Sequence, residues 1–198
     1  MANISEFKSK MIGGGARPNQ FRVHLTFPGY VTGGPVAGQL AEFLCKAAQL
    51  PASTIDPVPI QYRGRPVQFA GERTFAPWTV SIYNDTNFSI RNAMEQWQTG
   101  IQNHSATDGR VNPTDYQVDL QVYQLDRNGG VVKSYNFKDA FPTSIGAIAL
   151  DYDTVNAIEI FDVEFNYNYF TSNSTDGAGG IDVNVTVDTP IGTFPLPI

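Results

Sequence analysis

Phe161-Asp162-Val163-Glu164-Phe165-Asn166-Tyr167-Asn168-Tyr169 alternates large apolar and polar side chains without a break. A period of two puts Phe161, Val163, Phe165, Tyr167 and Tyr169 on one face and the acids and asparagines on the other, which is how a half-buried strand reads. Just upstream the phase flips between Ile160 and Phe161. If the strand spans 157–170, a bulge or a change of sheet is expected at that flip.

The same alternation recurs outward from this stretch. Tyr116, Val118, Leu120 and Val122 face away from Gln117, Asp119 and Gln121, and Asp126-Arg127-Asn128-Gly129-Gly130 then turns the chain into residues 131–137, as in a hairpin. Residues 140–150 read as a further apolar strand. Trp78, Val80 and Ile82 alternate with Thr79, Ser81 and Tyr83, and Phe21 to Phe27 places four apolar side chains on one face. With 12% aromatic residues, 18 glycines and 13 prolines in 198 residues, the class is mainly β.

One helix is well signalled. Asn84-Asp85-Thr86-Asn87 supplies capping side chains, and Ile90, Ala93, Met94, Trp97 and Ile101 then fall on one helical face opposite Arg91, Glu95 and Gln98. Residues 28–38, rich in glycine and proline, read as a loop, and the apolar run 41–50 leans towards a strand.

Three segments lie outside this pattern. Residues 1–19 read as an N-terminal arm jointed at Gly13-Gly14-Gly15. Residues 51–76 read as a long projecting hairpin around Arg63-Gly64-Arg65-Pro66, whose prolines cannot continue a sheet ladder and which therefore needs another surface to cover it. Residues 172–198 begin as a linker and end in an alternating stretch, a C-terminal extension of one added strand. The main domain is then 20–171.

Net charge is −6 and unevenly placed: residues 1–73 are net cationic, the last Lys or Arg is Lys138, and nine acids follow it. Opposite signs on different faces suit head-to-tail self-association. The chemistry of catalysis is sparse. One cysteine, Cys45, and two histidines, His24 and His104, cannot form a disulfide or a Cys/His zinc site. Cys45 reads as a small buried apolar residue and His24 as a polar-face histidine. Phosphate-cradling, dinucleotide, zinc-hydrolase and nucleophile-elbow motifs are missing. Asp162 and Glu164, roughly 7 Å apart by strand rise, have the spacing of a carboxylate pair but sit on a strand face that reads as solvated surface. No catalytic, cofactor-binding or metal-ligating residue is assigned. The N-terminus shows no apolar leader, and no apolar run approaches the ~18 residues of a membrane helix, so synthesis and retention in a cytoplasm-like compartment are expected.

An ordered set of short motifs carries a resemblance: Gly14-Gly15-Ala16-Arg17-Pro18-Asn19-x-Phe21-x-Val23, Phe43-Leu44-Cys45, Leu50-Pro51, Gly64-Arg65, Gly71-Glu72-Arg73-Thr74-Phe75, Trp78, Asn84-Asp85 and the helix through Trp97. In this order they resemble the major tail tube proteins of contractile-tailed, myovirus-type bacteriophages, over about residues 11–170. The resemblance implies an antiparallel two-sheet sandwich or barrel with one flanking α-helix, assembled into hexameric rings that stack as a hollow tube within a sheath. It implies a virion protein, assembled in the host cytoplasm, that contacts itself, the sheath, the baseplate and the tail terminator, and passes genomic DNA without binding it specifically. Neither enzymatic activity nor a cofactor is expected.

On that footing Arg17, Arg63, Arg65, Glu72 and Arg73, in the arm and the cationic hairpin, are the candidate ring-to-ring contacts. Asp119, Glu159, Asp162 and Glu164 are candidates for an acidic lumen that repels DNA and lets it slide. A tube subunit of a type VI secretion or contractile injection system shares the implied architecture. A carbohydrate-binding β-sandwich, stacking sugars on Trp78, Trp97 or some of the nine tyrosines, is the reading from another class.

Overall fold

The computed structural model describes residues 3–11, 15–106 and 108–173, and the expected strand of the C-terminal extension lies outside them. The architecture is mainly β, as expected, but the described residues hold three α-helices where one was signalled. In chain order the elements are α1 (Ile4–Lys10), β1 (Phe21–His24), α2 (Gly34–Leu44), β2 (Cys45–Ala48), β3 (Ser53–Tyr62), β4 (Arg65–Phe75), β5 (Trp78–Tyr83), α3 (Ser89–Ile101), β6 (Val118–Leu125), β7 (Val131–Ile145), β8 (Ile160–Asn166) and β9 (Tyr169–Ser172).

Seven strands form one antiparallel sheet in the order β1-β6-β7-β8-β5-β2, with β9 also on β7. The 15-residue β7 belongs to two halves. Its first part pairs with β6 and β9, its last part with β8. The handover is a bulge: Val118 faces Ala140 but Leu120 faces Phe137, so Asp119 stands opposite both Lys138 and Asp139. Asp139 takes the left-handed backbone, φ 58°, which short polar side chains tolerate. Residues 131–145 are thus one bent strand, not two, and 146–150 are not strand at all.

The bend folds the two halves over a common core. Trp78 of β5 stacks on Phe137 of β7 with ring centroids 4.3 Å apart, and Phe137 meets Tyr167 edge-on at 4.9 Å. The inward residues Val80, Ile82, Phe161, Val163 and Phe165 of one half face Val23, Leu120 and Val122 of the other. The expected α3 stripe Ile90, Ala93, Met94 and Trp97 closes the core, with Ile101 at its margin. The N-cap residue of that helix is Phe88, in the left-handed conformation at φ 54° and without a side-chain cap. Asp85, three residues earlier, supports the start of the helix by accepting from the Ser89 amide and hydroxyl, both at 2.8 Å.

The long strand predicted over 157–170 is two strands. Ile160 is the first residue of β8, so the phase flip marks the strand's start and not a bulge. The change of partner comes later, at Tyr167-Asn168, after which β9 pairs with β7 alone.

The glycine-rich stretch and the apolar run that follows it hold α2, where a loop and a strand were expected; only Cys45–Ala48 is strand. Gly33 at φ 77° turns the chain into the helix and a proline occupies its first turn. Its buried residues are Gly34, Ala37, Gly38 and Ala41. A Cβ on Gly38 would lie 2.6 Å from the Leu25 carbonyl oxygen, so the helix can lie this close to β1 only because that stripe is small.

Candidate assembly surfaces

The β3–β4 hairpin leaves the body as a two-stranded ribbon, exposed along almost its whole length. Arg63 (φ 49°) and Gly64 (φ 81°) make its two-residue turn, the mirror-image type that matches strand twist. Tyr62 pairs with Arg65 across it, and the Arg63 guanidinium lies 5.4 Å from the Tyr62 ring centre. The ribbon rejoins the body at Phe75, whose ring meets Tyr167 and Phe170 at 6.0 and 5.6 Å.

The ladder assigns the hairpin's two faces. Val58 pairs with Phe69, Ile60 with Val67 and Tyr62 with Arg65, so Val58, Ile60, Tyr62, Val67 and Phe69 share one face. Each is 43% exposed or more. Pro57, Pro59, Gln61, Pro66, Gln68 and Ala70 form the other face. Of the predicted contact residues, Arg63 and Arg65 are at the tip, Glu72 and Arg73 are near the base, and Arg17 lies outside the hairpin, its carbonyl held by Gln124 Nε2 at 2.7 Å. All five are exposed. The sequence reading singled out the charges and missed the apolar face, although the alternation of Val58, Ile60 and Tyr62 was its signal.

The arm is not featureless. Asn3 caps α1 by accepting from the Ser5 amide at 3.4 Å, and none of the helix's residues is buried.

The four predicted lumen acids separate. Asp162 and Glu164 lie on the outer face of β8, opposite Ser81 and Thr79 of β5. Asp162 accepts from the Ser81 hydroxyl at 2.5 Å. Glu159, one residue before β8, accepts from Asn84 Nδ2 at 2.8 Å while its carbonyl takes the Asn84 amide. These three form one acidic edge. Asp119 is on the other half of the sheet, its carboxylate 2.5 Å from Lys138 Nζ. That hydrogen bond holds the Lys138 ammonium above its usual range.

Candidate chemistry elsewhere takes structural roles. His24 Nδ1 is 2.7 Å from Glu42 Oε1, tying β1 to α2. Burial pushes the Cys45 thiol up to about 12, partly offset by its bond to the Ala47 carbonyl. Among the described residues no group of His, Cys, Asp and Glu could hold a metal ion. The carbohydrate reading fails at its tryptophans: Trp78 and Trp97 are 2% and 0% exposed, and their indole N–H groups donate to the carbonyls of Gln49 (2.7 Å) and Tyr116 (2.8 Å).

Comparison with known proteins agrees with this geometry. The chain is similar to the tail tube protein gp19 of Enterobacteria phage T4, 33% identical over 158 residues that cover 78% of this chain and 90% of that protein. Its fold matches the sheath/tube terminator of an extracellular contractile injection system in the extended state, with TM-score 0.59 and 13% identity over 80% of this chain and 96% of that one. It also matches a chain of the sheath-tube complex of such a system, with TM-score 0.53 and 13% identity over 83% and 95%. The family model for phage tail tube proteins covers residues 16–173. The relatives are structural proteins and not enzymes, and this chain belongs to the phage tail tube protein family.

Proposed function

We propose that copies of this chain close into rings, six to a ring as the motif resemblance implies, and that the rings stack into the hollow tube of a contractile tail, which conducts DNA. The observation that carries this reading is the β3–β4 hairpin. A ribbon with five apolar side chains on one face and none of them covered is stable only if another surface receives it. Arg63, Arg65, Glu72 and Arg73 lie around that face and Arg17 at the root of the arm, which supports their role between rings. Exposed ion pairs contribute only about 0–1 kcal/mol each, so the apolar face supplies the adhesion and the charges fix the register.

The lumen we assign to the edge formed by Glu159, Asp162 and Glu164. DNA carries one charge per ~1.7 Å of axis, and an acidic wall repels it within a Debye length of about 8 Å. Asp119 is left out of this set, because Lys138 neutralises it on the other half of the sheet. Sheath, baseplate and terminator contacts, and a place in the virion after assembly in the host cytoplasm, follow from the same reading. The injection-system neighbours support the architecture, whereas the relative at 33% identity favours a phage tail.

Electron microscopy of the purified protein tests this, with rings or tubes expected. A strictly monomeric species in analytical ultracentrifugation, at high concentration and across salt conditions, would overturn it.

A further inference from the structure

Two exposed apolar surfaces outside the hairpin complement each other. The first is on α1. At ~100° per residue, Ile4, Phe7 and Met11 fall within about 60° of one another around the helix axis. Lys8 lies on one side of that stripe and Lys10 on the other, with Glu6 at the back. Ile4 is 73% and Phe7 65% exposed. A seven-residue helix is too short to persist in water by its own propensity, so its apolar side needs a receiving surface.

The second surface is the connection between β7 and β8, residues 146–159. It carries Leu150 (81% exposed), Tyr152, Val155 (76%) and Ile158. Asp151 organises it, accepting from the Asp153 amide at 3.0 Å. A groove of about 330 Å³ opens there, with Leu150, Ile158 and Ile160 in its lining and Asp151 and Glu159 at its edge. The segment 146–159 itself carries apolar side chains and acids and no Lys or Arg. At its first residue Arg91 Nη1 donates to the Gly146 carbonyl at 3.0 Å.

We propose that α1 of one copy docks into the 146–159 groove of a neighbouring copy in the tube. Ile4, Phe7 and Met11 enter the groove, while Lys8 and Lys10 face Asp151 and Asp153. The occupant is a second copy of this chain because the chain itself carries both halves of the match, apolar stripe to apolar groove and lysine flanks to acidic rim. The inference rests on the tube reading and adds to it a named receptor for the arm. Being equivalent in every copy, the contact is heterologous and repeats around the assembly.

Cross-linking within assembled tubes tests it. A chain carrying Phe7→Cys and Ile158→Cys, with Cys45→Ala to remove the native thiol, should give a ladder of covalent multimers on a non-reducing gel. A control pairing Phe7→Cys with Val111→Cys should give none. An internal bond alone, seen as a faster monomer, overturns docking between copies, and intact tubes without any cross-link overturn the groove as receptor. Where cysteine at position 7 hinders assembly, charge exchange decides. Lys8→Glu with Lys10→Glu should reduce tube yield at least tenfold, and Asp151→Lys with Asp153→Lys in the same chain should restore it. Failure of that rescue overturns the pairing. If the unaltered chain forms no tubes under any condition, the tube reading itself falls, and the groove with it.

Discussion

Lys138 Nζ lies 2.5 Å from Asp119 Oδ2 across the bulge where β7 passes from one half of the sheet to the other. The second oxygen of Asp119 faces the Asp139 amide at 3.4 Å. One carboxylate therefore spans both residues of the bulge, and the acid holds the bend of the strand. Asp119→Ala should lower stability by about 1 kcal/mol, seen as a Tm fall of several degrees in a thermal melt. Asp139→Gly relaxes the left-handed residue but removes the acceptor of Asn168 Nδ2 at 3.0 Å, so it should cost less than Asp119→Ala. A larger loss from Asp139→Gly than from Asp119→Ala would contradict this view of the bulge.

The hairpin separates folding from assembly. Val58→Thr, Ile60→Thr and Phe69→Thr together keep strand-forming side chains and touch no core residue. Each should change stability by about 0.5 kcal/mol or less, so the melt stays near that of the parent while sedimentation shows loss of tubes. Tubes formed at the parent's yield would remove the apolar face from the stacking contact.

The acidic edge of β8 predicts a charge effect on cargo. With Glu159→Lys, Asp162→Lys and Glu164→Lys in one chain, tubes should hold DNA at low salt and release it as salt rises, read by ejection from assembled tails. Loss of sheath attachment with normal DNA passage would place this edge on the outer wall. Asp162→Lys alone should cost more stability than Glu164→Lys, because it also strands the Ser81 hydroxyl.

The core prediction concerns Trp97. Replacing it with Phe empties volume beside Phe27 and Phe165 and leaves the Tyr116 carbonyl without its 2.8 Å donor. A loss of about 2–4 kcal/mol is expected, with a matching fall in the denaturation midpoint.

Alkaline pH should unfold the chain early. Burial pushes the Tyr30 hydroxyl from 10.0 to about 12, against the Arg110 guanidinium, which pulls it down. Burial raises Tyr167 and Cys45 also, and the Asp119 hydrogen bond raises Lys138. In every case the folded chain holds its proton more tightly than the unfolded chain. Their contribution is complete below the unfolded values, near 9 to 10.5, and is lost as pH rises through the folded ones, about 12 for Tyr30 and Cys45. Tyr30→Phe should flatten that fall while lowering stability at neutral pH by about 1 kcal/mol through loss of the 2.9 Å bond to the Trp97 carbonyl. An unchanged slope would remove Tyr30 from the linkage.

The strand pattern was legible wherever one face meets the core and the other meets water, as in Phe161 to Phe165 and Trp78 to Ile82. The α3 stripe was legible for the same reason. What failed to show was packing through absence. The α2 stripe is Gly34, Ala37, Gly38 and Ala41, and small residues carry too little hydrophobic contrast to mark a face although they are the reason the helix can approach Leu25. The single strand expected over 157–170 failed at Tyr167-Asn168, where the alternation continues while the hydrogen-bonding partner changes. Among the site residues, charge alone could not say that Asp119 has Lys138 across the ladder, since their pairing depends on the bulge. The apolar hairpin face was visible in the alternation and was passed over for the arginines at its tip.

On the proposed assembly, a subunit not yet in a ring carries a β-ribbon exposed on two open edges, the kind of template on which strands aggregate. The hairpin's prolines bear on that exposure. The closing pair Tyr62–Arg65 beside a two-residue turn is a hydrogen-bonded pair, so Pro57, Pro59 and Pro66 fall in the alternate pairs, whose backbone nitrogens point to the free edges. Those edges lack donors where a stray strand would seek them. If the hairpin makes the proposed contact, the unassembled chain offers its apolar face to the correct neighbour and an incomplete ladder to incorrect ones, so the prolines protect the free edges without blunting that contact.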